Sequence, residues 1–230
     1  MNFAPLLAAA ALMTTPAPSD PAAPVVQTQQ GALAGATSEG IESFKGVPFA
    51  APPVGPLRWR MPQPPAAWEG ERPAVDFGAI CIQPPPGGDP GVGPLPMSED
   101  CLTLNIWAPT ERSAPLPVMV WIHGGGMNNG SGTAALYDGA ALAKRGVIVV
   151  TVNYRLGRLG FFAHPGLRAE GTGDDARGNF GMGDLVASLE WVRDNIAAFG
   201  GDPANVTIWG ESAGGAAVTR LMISPPARGL

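Results

Sequence analysis

The chain has 230 residues, of which 45% are hydrophobic and 14% are charged, and its formal net charge is −5. This composition is typical of a globular domain with a sizeable core. The acidic balance offers no basic patch, which excludes nucleic acid as an expected partner. No apolar run reaches the roughly 20 residues that a membrane-spanning helix needs, so no membrane span is expected.

The first 23 residues have the pattern of a secretory signal peptide and a leader rich in proline and alanine. An apolar segment at residues 3–13 precedes small residues that suit cleavage, such as Ala17, Pro18 and Ser19. No Lys or Arg comes before the apolar segment, which departs from the usual pattern, and a disordered Ala/Pro tail is the alternative. We therefore expect a secreted or periplasmic protein.

The two cysteines, Cys81 and Cys101, flank 19 residues rich in proline and glycine. An even cysteine count in an exported chain favours a disulfide. In the chain-entropy account, closing a loop of this size contributes about 3 kcal/mol to stability. Two unrelated buried thiols are the alternative.

The predicted elements alternate between strands and helices. Residues 25–35 and 40–50 predict an edge hairpin joined by a polar turn, and the proline-punctuated residues 51–60 predict an ordered loop. Apolar runs and helical spacing predict the other elements, which are strands at 102–107, 117–122 and 147–153 and helices at 140–145 and 182–199. This alternation predicts one α/β domain, residues 24–230, whose mixed sheet is parallel at its centre, and the sequence contains no internal repeat.

The feature most specific for chemistry is the G-x-S-x-G run at residues 210–214, with Ser212 at its centre. A buried strand is predicted before it, at 206–209, and small residues after it favour a helix that ends near Met222. Strand, tight turn and helix are the context of a nucleophile elbow, in which the serine exposes its Oγ on a strained turn. A glycine-rich loop with a solvent-capping serine is the alternative.

A second glycine motif, His123-Gly124-Gly125-Gly126, directly follows the strand predicted at 117–122. Attack of a serine on an ester creates a tetrahedral oxyanion, which needs preorganised N–H donors. Consecutive glycines let the backbone approach the substrate, and this motif in this position is the known companion of the elbow serine. A flexible glycine turn is the alternative.

Several long blocks, in this order along the chain, resemble the type-B carboxylesterase family, which includes cholinesterases, bacterial p-nitrobenzyl-type esterases and neuroligin-like proteins. The pattern is most similar to the bacterial p-nitrobenzyl-type esterases. The blocks are FKGVPFAAPPVGPLRWR (44–60), SEDCLTLNIWAP (98–109), HGGG (123–126), NYRLGRLGFF (153–162) and GNFGMGDLVASLEWVRDNIAAFGGDPANVTIWGESAGG (178–215).

The resemblance implies an α/β-hydrolase fold, of which this chain would be the N-terminal portion. It also implies hydrolysis of a small-molecule carboxylic ester with no cofactor and no metal. The implied site residues are Ser212 as nucleophile, Gly125, Gly126 and Ala213 as oxyanion donors, His123 in support, and Glu211 at the position of the family's buried acidic residue near the catalytic histidine. The implied structural pairs are a Cys81–Cys101 disulfide and an Arg58–Glu99 salt bridge.

Two features depart from the family pattern. Leu185 follows Asp184 where the family has a glutamine, which removes an amide that could form a hydrogen bond. The loop between Cys81 and Cys101 contains no aromatic residue, whereas cholinesterases carry a tryptophan there for cation–π binding of choline. Choline-specific activity is therefore not expected.

The catalytic acid and base that this fold requires are missing from the chain. The triad order in the fold is Ser, then Asp or Glu, then His, yet the 18 residues after Ser212 contain neither an acid nor a histidine. The two histidines, His123 and His164, both precede Ser212. A serine without a base is a poor nucleophile at neutral pH.

The leading interpretation is a serine-dependent carboxylic ester hydrolase that works through an acyl-enzyme, here without the downstream acid and histidine. Lactone or carbamate hydrolysis would use the same residues. The alternatives are a catalytically inactive binding protein of the same fold and a truncated, non-functional fragment. The expected partners are a small-molecule ester and the missing C-terminal segment.

Overall fold

The computed structural model of the protein describes residues 23–85, 96–171 and 178–230. Apart from its last position, the predicted signal peptide and leader at residues 1–23 lies outside the described residues, as does the middle of the loop between the cysteines. The described strands are β1 Val25–Gln27, β2 Ala32–Ala34, β3 Ala36–Ser38, β4 Ile41–Pro48, β5 Glu71–Pro73, β6 Ile80–Cys81, β7 Met97–Ser98, β8 Thr103–Pro109, β9 Leu116–Ile122, β10 Ile148–Val152 and β11 Gly201–Gly210. The described α-helices are α1 Ala140–Ala143, α2 Gly157–Phe161, α3 Pro165–Glu170, α4 Phe180–Asn195 and α5 Ala213–Met222.

The main sheet contains six strands in the order β11-β9-β10-β8-β4-β3. β9 pairs in parallel with both β10 and β11, whereas β8 pairs antiparallel with both β10 and β4. All five residues of β10 are buried, as expected for a strand that is covered on both faces. The sheet is therefore mixed, as the sequence predicts. Its parallel pairs, β9 with β10 and β9 with β11, lie on the side of the sheet that ends in β11.

The long helix α4 packs on one face of this sheet through the apolar side chains whose spacing predicts it. Leu185, Leu189 and Val192 are all buried in the main hydrophobic core. A 3-10 turn extends the helix, and Gly200 ends it with a φ of 83° in the left-handed region. The helix predicted at 182–199 is therefore confirmed.

The single hairpin predicted from residues 25–35 and 40–50 is wrong. β1 pairs with β2 in a separate three-stranded sheet, and β3 pairs with β4 at the edge of the main sheet. The chain reverses early because the N–H and hydroxyl of Thr28 both donate to the carbonyl of Gly31. A Cβ on Gly31 would lie 2.4 Å from Nε1 of Trp68, so this turn depends on an indole from much later in the chain.

β11 is an edge strand, with β9 as its only neighbour in the part of the chain that the structure describes. The prediction that residues 206–209 are buried is therefore wrong, since Val206, Ile208 and Trp209 are half-buried and Thr207 is exposed. An edge strand leaves a row of N–H and C=O groups unpaired and open to another strand.

The disulfide between Cys81 and Cys101 is present, and their Cα atoms are 5.0 Å apart. Arg58 and Glu99 form the expected ion pair close to it, with two N–H···O bonds of 2.6 Å each. Within the described ranges, no helix has the length and hydrophobicity to cross a membrane. The same ranges contain no cluster of three or more His, Cys, Asp or Glu side chains that could hold a metal ion.

A buried ion pair joins α4 to the loop that follows β10. Arg155 donates from its guanidinium and its backbone N–H to both carboxylate oxygens of Asp184, at distances of 2.7 to 3.2 Å. Both side chains are almost fully buried. Burial raises the pKa of the Asp184 carboxyl, and the bonds from Arg155 oppose this rise. The neighbouring Leu185, where an amide was expected, packs in the apolar core instead.

We predict that Asp184→Asn lowers the free energy of unfolding by about 3–5 kcal/mol, because it leaves the buried guanidinium of Arg155 without a charged partner. Urea denaturation followed by far-UV circular dichroism measures this change. Asp194→Asn is the matched control, since Asp194 pairs with Arg193 at the surface and such pairs contribute about 0–1 kcal/mol. Equal effects of the two substitutions would contradict the account.

Candidate active site

The site lies where the neighbouring parallel strands β9 and β11 end side by side. The last pairing between them joins Ile122 to Gly210. The HGGG run begins one residue after β9, and Ser212 lies two residues after β11. Because parallel strands present their carboxyl ends at the same edge of a sheet, the register alone brings the two motifs together.

Ser212 occupies the predicted turn between strand and helix. β11 ends at Gly210 and α5 begins at Ala213, so the strand-turn-helix prediction is confirmed. Ser212 has φ 54° and ψ −120°, a conformation that costs a non-glycine residue about 1–3 kcal/mol. Its side chain is exposed. Such strain persists only where the surroundings enforce it, and it is typical of functional positions.

The glycines on either side of Ser212 enforce the turn by allowing backbone to touch backbone. A Cβ on Gly214 would lie 2.0 Å from the carbonyl oxygen of Ile122, and a Cβ on Gly210 would lie 2.6 Å from the same atom. The N–H of Gly214 donates to the carbonyl of Glu211 at 2.8 Å, which closes the turn. α5 can therefore start directly against the end of β9 only because both positions lack a side chain.

The HGGG loop contacts the serine turn directly. A Cβ on Gly124 would lie 3.2 Å from Cβ of Ser212 and 2.7 Å from a carboxylate oxygen of Glu211. Gly125 and Gly126 follow with φ values of 96° and 62°, which glycine adopts at little cost. The carbonyl of Gly125 accepts from the N–H groups of Asn128 and Asn129 at 3.0 and 3.1 Å. The structure thus brings the loop of the candidate oxyanion donors beside the candidate nucleophile.

Glu211 differs from the expectation in one respect. The family resemblance implies a buried acidic residue at this position, but the Glu211 side chain is exposed. The serine turn lies at the surface of the described part of the chain, which leaves this carboxylate in contact with solvent and with the backbone of Gly124.

His123 is a buried structural residue rather than a free base. The residue is 1% exposed, and its ring stacks on Tyr154 with ring centroids 4.5 Å apart. Its Nδ1 lies 2.9 Å from the carbonyl oxygen of Gly124, and the hydroxyl of Tyr154 donates to the carbonyl of His123 at 3.0 Å. Burial lowers the pKa of His123 to about 4, although the bond to Gly124 favours the charged form. The ring is therefore neutral at neutral pH and braces the start of the loop.

The other histidine, His164, has a local role at the start of α3. Its Nδ1 accepts from the N–H of Gly166 at 3.1 Å, and its ring stacks on Phe162 with centroids 5.7 Å apart. It is exposed. In the described residues, therefore, both histidines are engaged in structural contacts, and we do not assign either of them as the base for Ser212.

Two residues that shape the loop were not predicted. Tyr154 lies in a block recognised for its resemblance, yet its bond to His123 joins residues 31 positions apart. Gln83 lies in the loop that begins at Cys81, and its amide bonds to Gly130, 47 positions away. Both contacts run from a side chain to a distant backbone group, which leaves no periodic signal in the sequence.

The arrangement can stabilise a negative charge next to a serine oxygen. The first N–H groups of α5 have no partners within the helix, and they carry the positive end of its dipole. The glycine loop adds backbone that a substrate can approach closely. A serine hydroxyl beside the start of a helix and a glycine loop is an arrangement that can serve an acyl-transfer site.

Comparison with known proteins identifies relatives that match most of this chain. A model of the carboxylesterase family matches residues 22–230. Fumonisin B1 esterase of Sphingopyxis macrogoltabida is 50% identical over 205 residues, which cover 87% of this chain and 37% of that protein. Para-nitrobenzyl esterase of Bacillus subtilis is 48% identical over 208 residues, which cover 90% of this chain and 42% of that protein.

Solved structures agree with this relationship. A PNB esterase structure, 48% identical, superimposes with a TM-score of 0.82 over 89% of this chain and 42% of that chain. A carboxylesterase of Geobacillus stearothermophilus, 46% identical, gives a TM-score of 0.80 over 89% and 41%. The chain has the α/β-hydrolase fold of these neighbours, and it spans about two fifths of their length.

We predict that Gly214→Ala destabilises the protein by about 3 kcal/mol or more, because the new methyl group meets the Ile122 carbonyl in packed backbone that cannot move away. Gly215→Ala is the matched control. A Cβ there would lie 3.2 Å from its nearest neighbour, the carbonyl oxygen of Gly210, and the gain in helix propensity of about 1 kcal/mol offsets that contact. Thermal unfolding of both variants measures the difference. Equal stabilities would show that the turn is not enforced in this way.

We also predict that the protein loses stability as the pH falls from about 6.5 towards 4. The unfolded chain protonates His123 below its ordinary pKa of 6.5, whereas the folded chain does so only near 4. The unfolded state therefore binds the extra proton in this window, which costs the fold up to about 3 kcal/mol. Urea denaturation between pH 4 and 7 measures how the free energy of unfolding changes with pH, which gives the slope of stability against pH.

His123→Asn should remove the part of this slope that lies above pH 5, where most carboxyl groups remain ionised. The interpretation is refuted by a His123→Asn variant that keeps the full slope.

Proposed function

Because this chain belongs to the carboxylesterase family, we propose that it supplies the nucleophile and the oxyanion donors of a serine-dependent carboxylic ester hydrolase. The observation that carries the proposal is the contact between the HGGG loop and the strained turn of Ser212. A small-molecule ester is the substrate class, and the relatives at 44 to 50% identity carry esterase or hydrolase names.

In this proposal the oxygen of Ser212 attacks the ester carbonyl while its proton passes to the general base. The bond to the alcohol oxygen then breaks and the alcohol leaves with that proton, which gives an acyl-enzyme. The N–H groups of Gly125, Gly126 and Ala213 stabilise the oxyanion of the tetrahedral intermediate, and water then hydrolyses the acyl group. Glu211 borders the site as an exposed carboxylate, and His123 braces the glycine loop. No step of this sequence needs a metal or an organic cofactor.

The proposal assigns the general base and its acidic partner to polypeptide outside residues 1–230. His123 is neutral and buried against Tyr154, and His164 is engaged at the start of α3. The relatives are longer than this chain. The match covers 37% of fumonisin B1 esterase and 42% of para-nitrobenzyl esterase. Their additional length has room for the acid and the histidine that the triad requires.

We place the contact surface for that additional polypeptide at β11. A groove of about 460 Å³ lies beside this edge strand, with Val206, Ile208 and Leu221 among its lining residues. Met222 and Ile223, which also line the groove, are 78% and 81% exposed. Apolar side chains beside an unpaired strand edge favour the addition of another strand and its helices.

We also propose that the protein is exported to the periplasm or to the exterior of the cell. The disulfide between Cys81 and Cys101 fits an oxidising compartment. A purely binding protein of the same fold is the weaker alternative, because it would have no use for a strained, exposed serine whose turn costs stability.

We predict that Ser212→Ala lowers kcat for p-nitrophenyl acetate by roughly 10⁶-fold in the protein that includes the acid and the histidine, because the acyl-enzyme cannot form. Residues 24–230 alone should hydrolyse this ester no faster than the roughly 10³–10⁴-fold over water that an oxyanion hole gives without a triad. Release of p-nitrophenolate, recorded by absorbance, measures both rates.

Ser38→Ala is the matched control, since Ser38 is exposed on β3 at the far edge of the sheet. The proposed function fails if Ser212→Ala keeps the activity. Steady, Ser212-dependent turnover by residues 24–230 would instead show that His123 or His164 acts as the base.

A further inference from the structure

Gln83 is a buried amide that no step of the proposed reaction uses. It lies two residues after Cys81 and is 8% exposed. Glutamine is mostly found at the surface, so a buried one needs partners for its whole amide group.

The amide of Gln83 pairs with both backbone groups of one distant residue. Its Oε1 accepts from the N–H of Gly130 at 2.8 Å, and its Nε2 donates to the carbonyl of Gly130 at 3.0 Å. The second hydrogen of Nε2 is directed to the carbonyl of Cys81, also at 3.0 Å. Gln83 thus binds Gly130 as a neighbouring strand would, and both N–H donors of its side-chain amide are used.

Gly130 in turn supports the glycine loop. It has φ 106°, and a Cβ on it would lie 2.4 Å from Nδ1 of His123 and 2.7 Å from the carbonyl oxygen of Gly124. The turn that leads to it is closed by the two bonds from Asn128 and Asn129 to the carbonyl of Gly125. A displacement of Gly130 would therefore move the backbone on both sides of the candidate donors.

We infer that Gln83 is a positioning residue for the oxyanion donors, which rests on the proposed function of the glycine loop. The contacts form one series, from the disulfide at Cys81 through Gln83 and Gly130 to Gly124, which lies against Ser212. Consecutive glycines have little conformational preference of their own. A donor loop built from them needs an external clamp, since a misplacement of about 1 Å can cost 10²-fold in rate.

Gln83→Glu tests the clamp with almost no change in shape. The carboxylate can still accept from Gly130, but it cannot donate to the carbonyls of Gly130 and Cys81. Gln83→Ala removes the whole clamp. Gln63 supplies the matched control, because its amide bonds to a backbone carbonyl at the surface, that of Met61.

The first measurement is amide hydrogen exchange of the intact protein by mass spectrometry, which does not depend on activity. In both Gln83 variants, the amides of residues 123–133 should exchange at least about ten times faster than in the wild type. The exchange rates across α4 should be the same as in the wild type. Gln63→Ala should match wild type throughout. Unchanged exchange at 123–133 in Gln83→Ala overturns the inference.

The second measurement separates a positioning role from a merely structural one. In the complete esterase, Gln83→Glu should lower kcat for p-nitrophenyl acetate by about 10- to 100-fold while KM changes by less than about threefold, because the donors act in the transition state. Binding of a trifluoromethyl ketone, which forms an oxyanion on the serine, should weaken in parallel. Retained kcat, or a loss that appears in KM alone, overturns the inference.

The two proposals can fail separately. Activity that survives Ser212→Ala refutes the proposed function, whereas the exchange of residues 123–133 still decides whether Gln83 holds the loop. A wild-type protein that hydrolyses esters through Ser212, with Gln83 variants that keep its kcat, refutes only the role of Gln83.

Discussion

The site depends on one close approach of backbone to backbone, between the start of α5 and the end of β9. Gly210 and Gly214 leave room for the Ile122 carbonyl, and no residue with a side chain could do so without a shift of the helix. This contact fixes Ser212 in its strained conformation and sets the glycine loop beside it. Strain that would be lost in a free peptide is therefore sustained by the packing of a sheet and a helix, which is how Ser212 can be both exposed and fixed.

Buried polar side chains hold the loops around this contact, whereas the sheet and helices hold the rest. Arg155 and Asp184 anchor the loop after β10 to α4, and Tyr154 on the same loop bonds to the carbonyl of His123. Gln83 performs the same task from the other side, through Gly130. Each of these groups bonds to irregular backbone that would otherwise be buried without a partner. The rigidity of the candidate oxyanion loop thus comes from distant segments and not from its own glycine-rich sequence.

The sequence predicts the parts of the fold that are set by local pattern. The apolar runs at 117–122 and 147–153 form central strands, and the serine motif lies between a strand and a helix whose close contact its glycines allow. The burial of β11 was predicted incorrectly, since burial depends on which strands and helices become its neighbours. The chain turns early, into two separate hairpins, where Trp68 packs against Gly31. The hydrogen bonds of Tyr154 and Gln83 join residues that are 31 and 47 positions apart in the sequence. Contacts of that kind are decided by tertiary packing and leave no periodic signal.

If the strained Ser212 is the nucleophile, as we propose, a reagent that reacts covalently with activated serines should label it. The protein that includes the proposed acid and histidine is incubated with a fluorophosphonate, which transfers its phosphonyl group to an activated serine, and the digested protein is sequenced by mass spectrometry. We expect one phosphonyl group per chain, on Ser212, and none when Ser212 is replaced by alanine. Ester hydrolysis that persists while Ser212 stays unlabelled, or a label on another serine that abolishes the activity, would contradict the account.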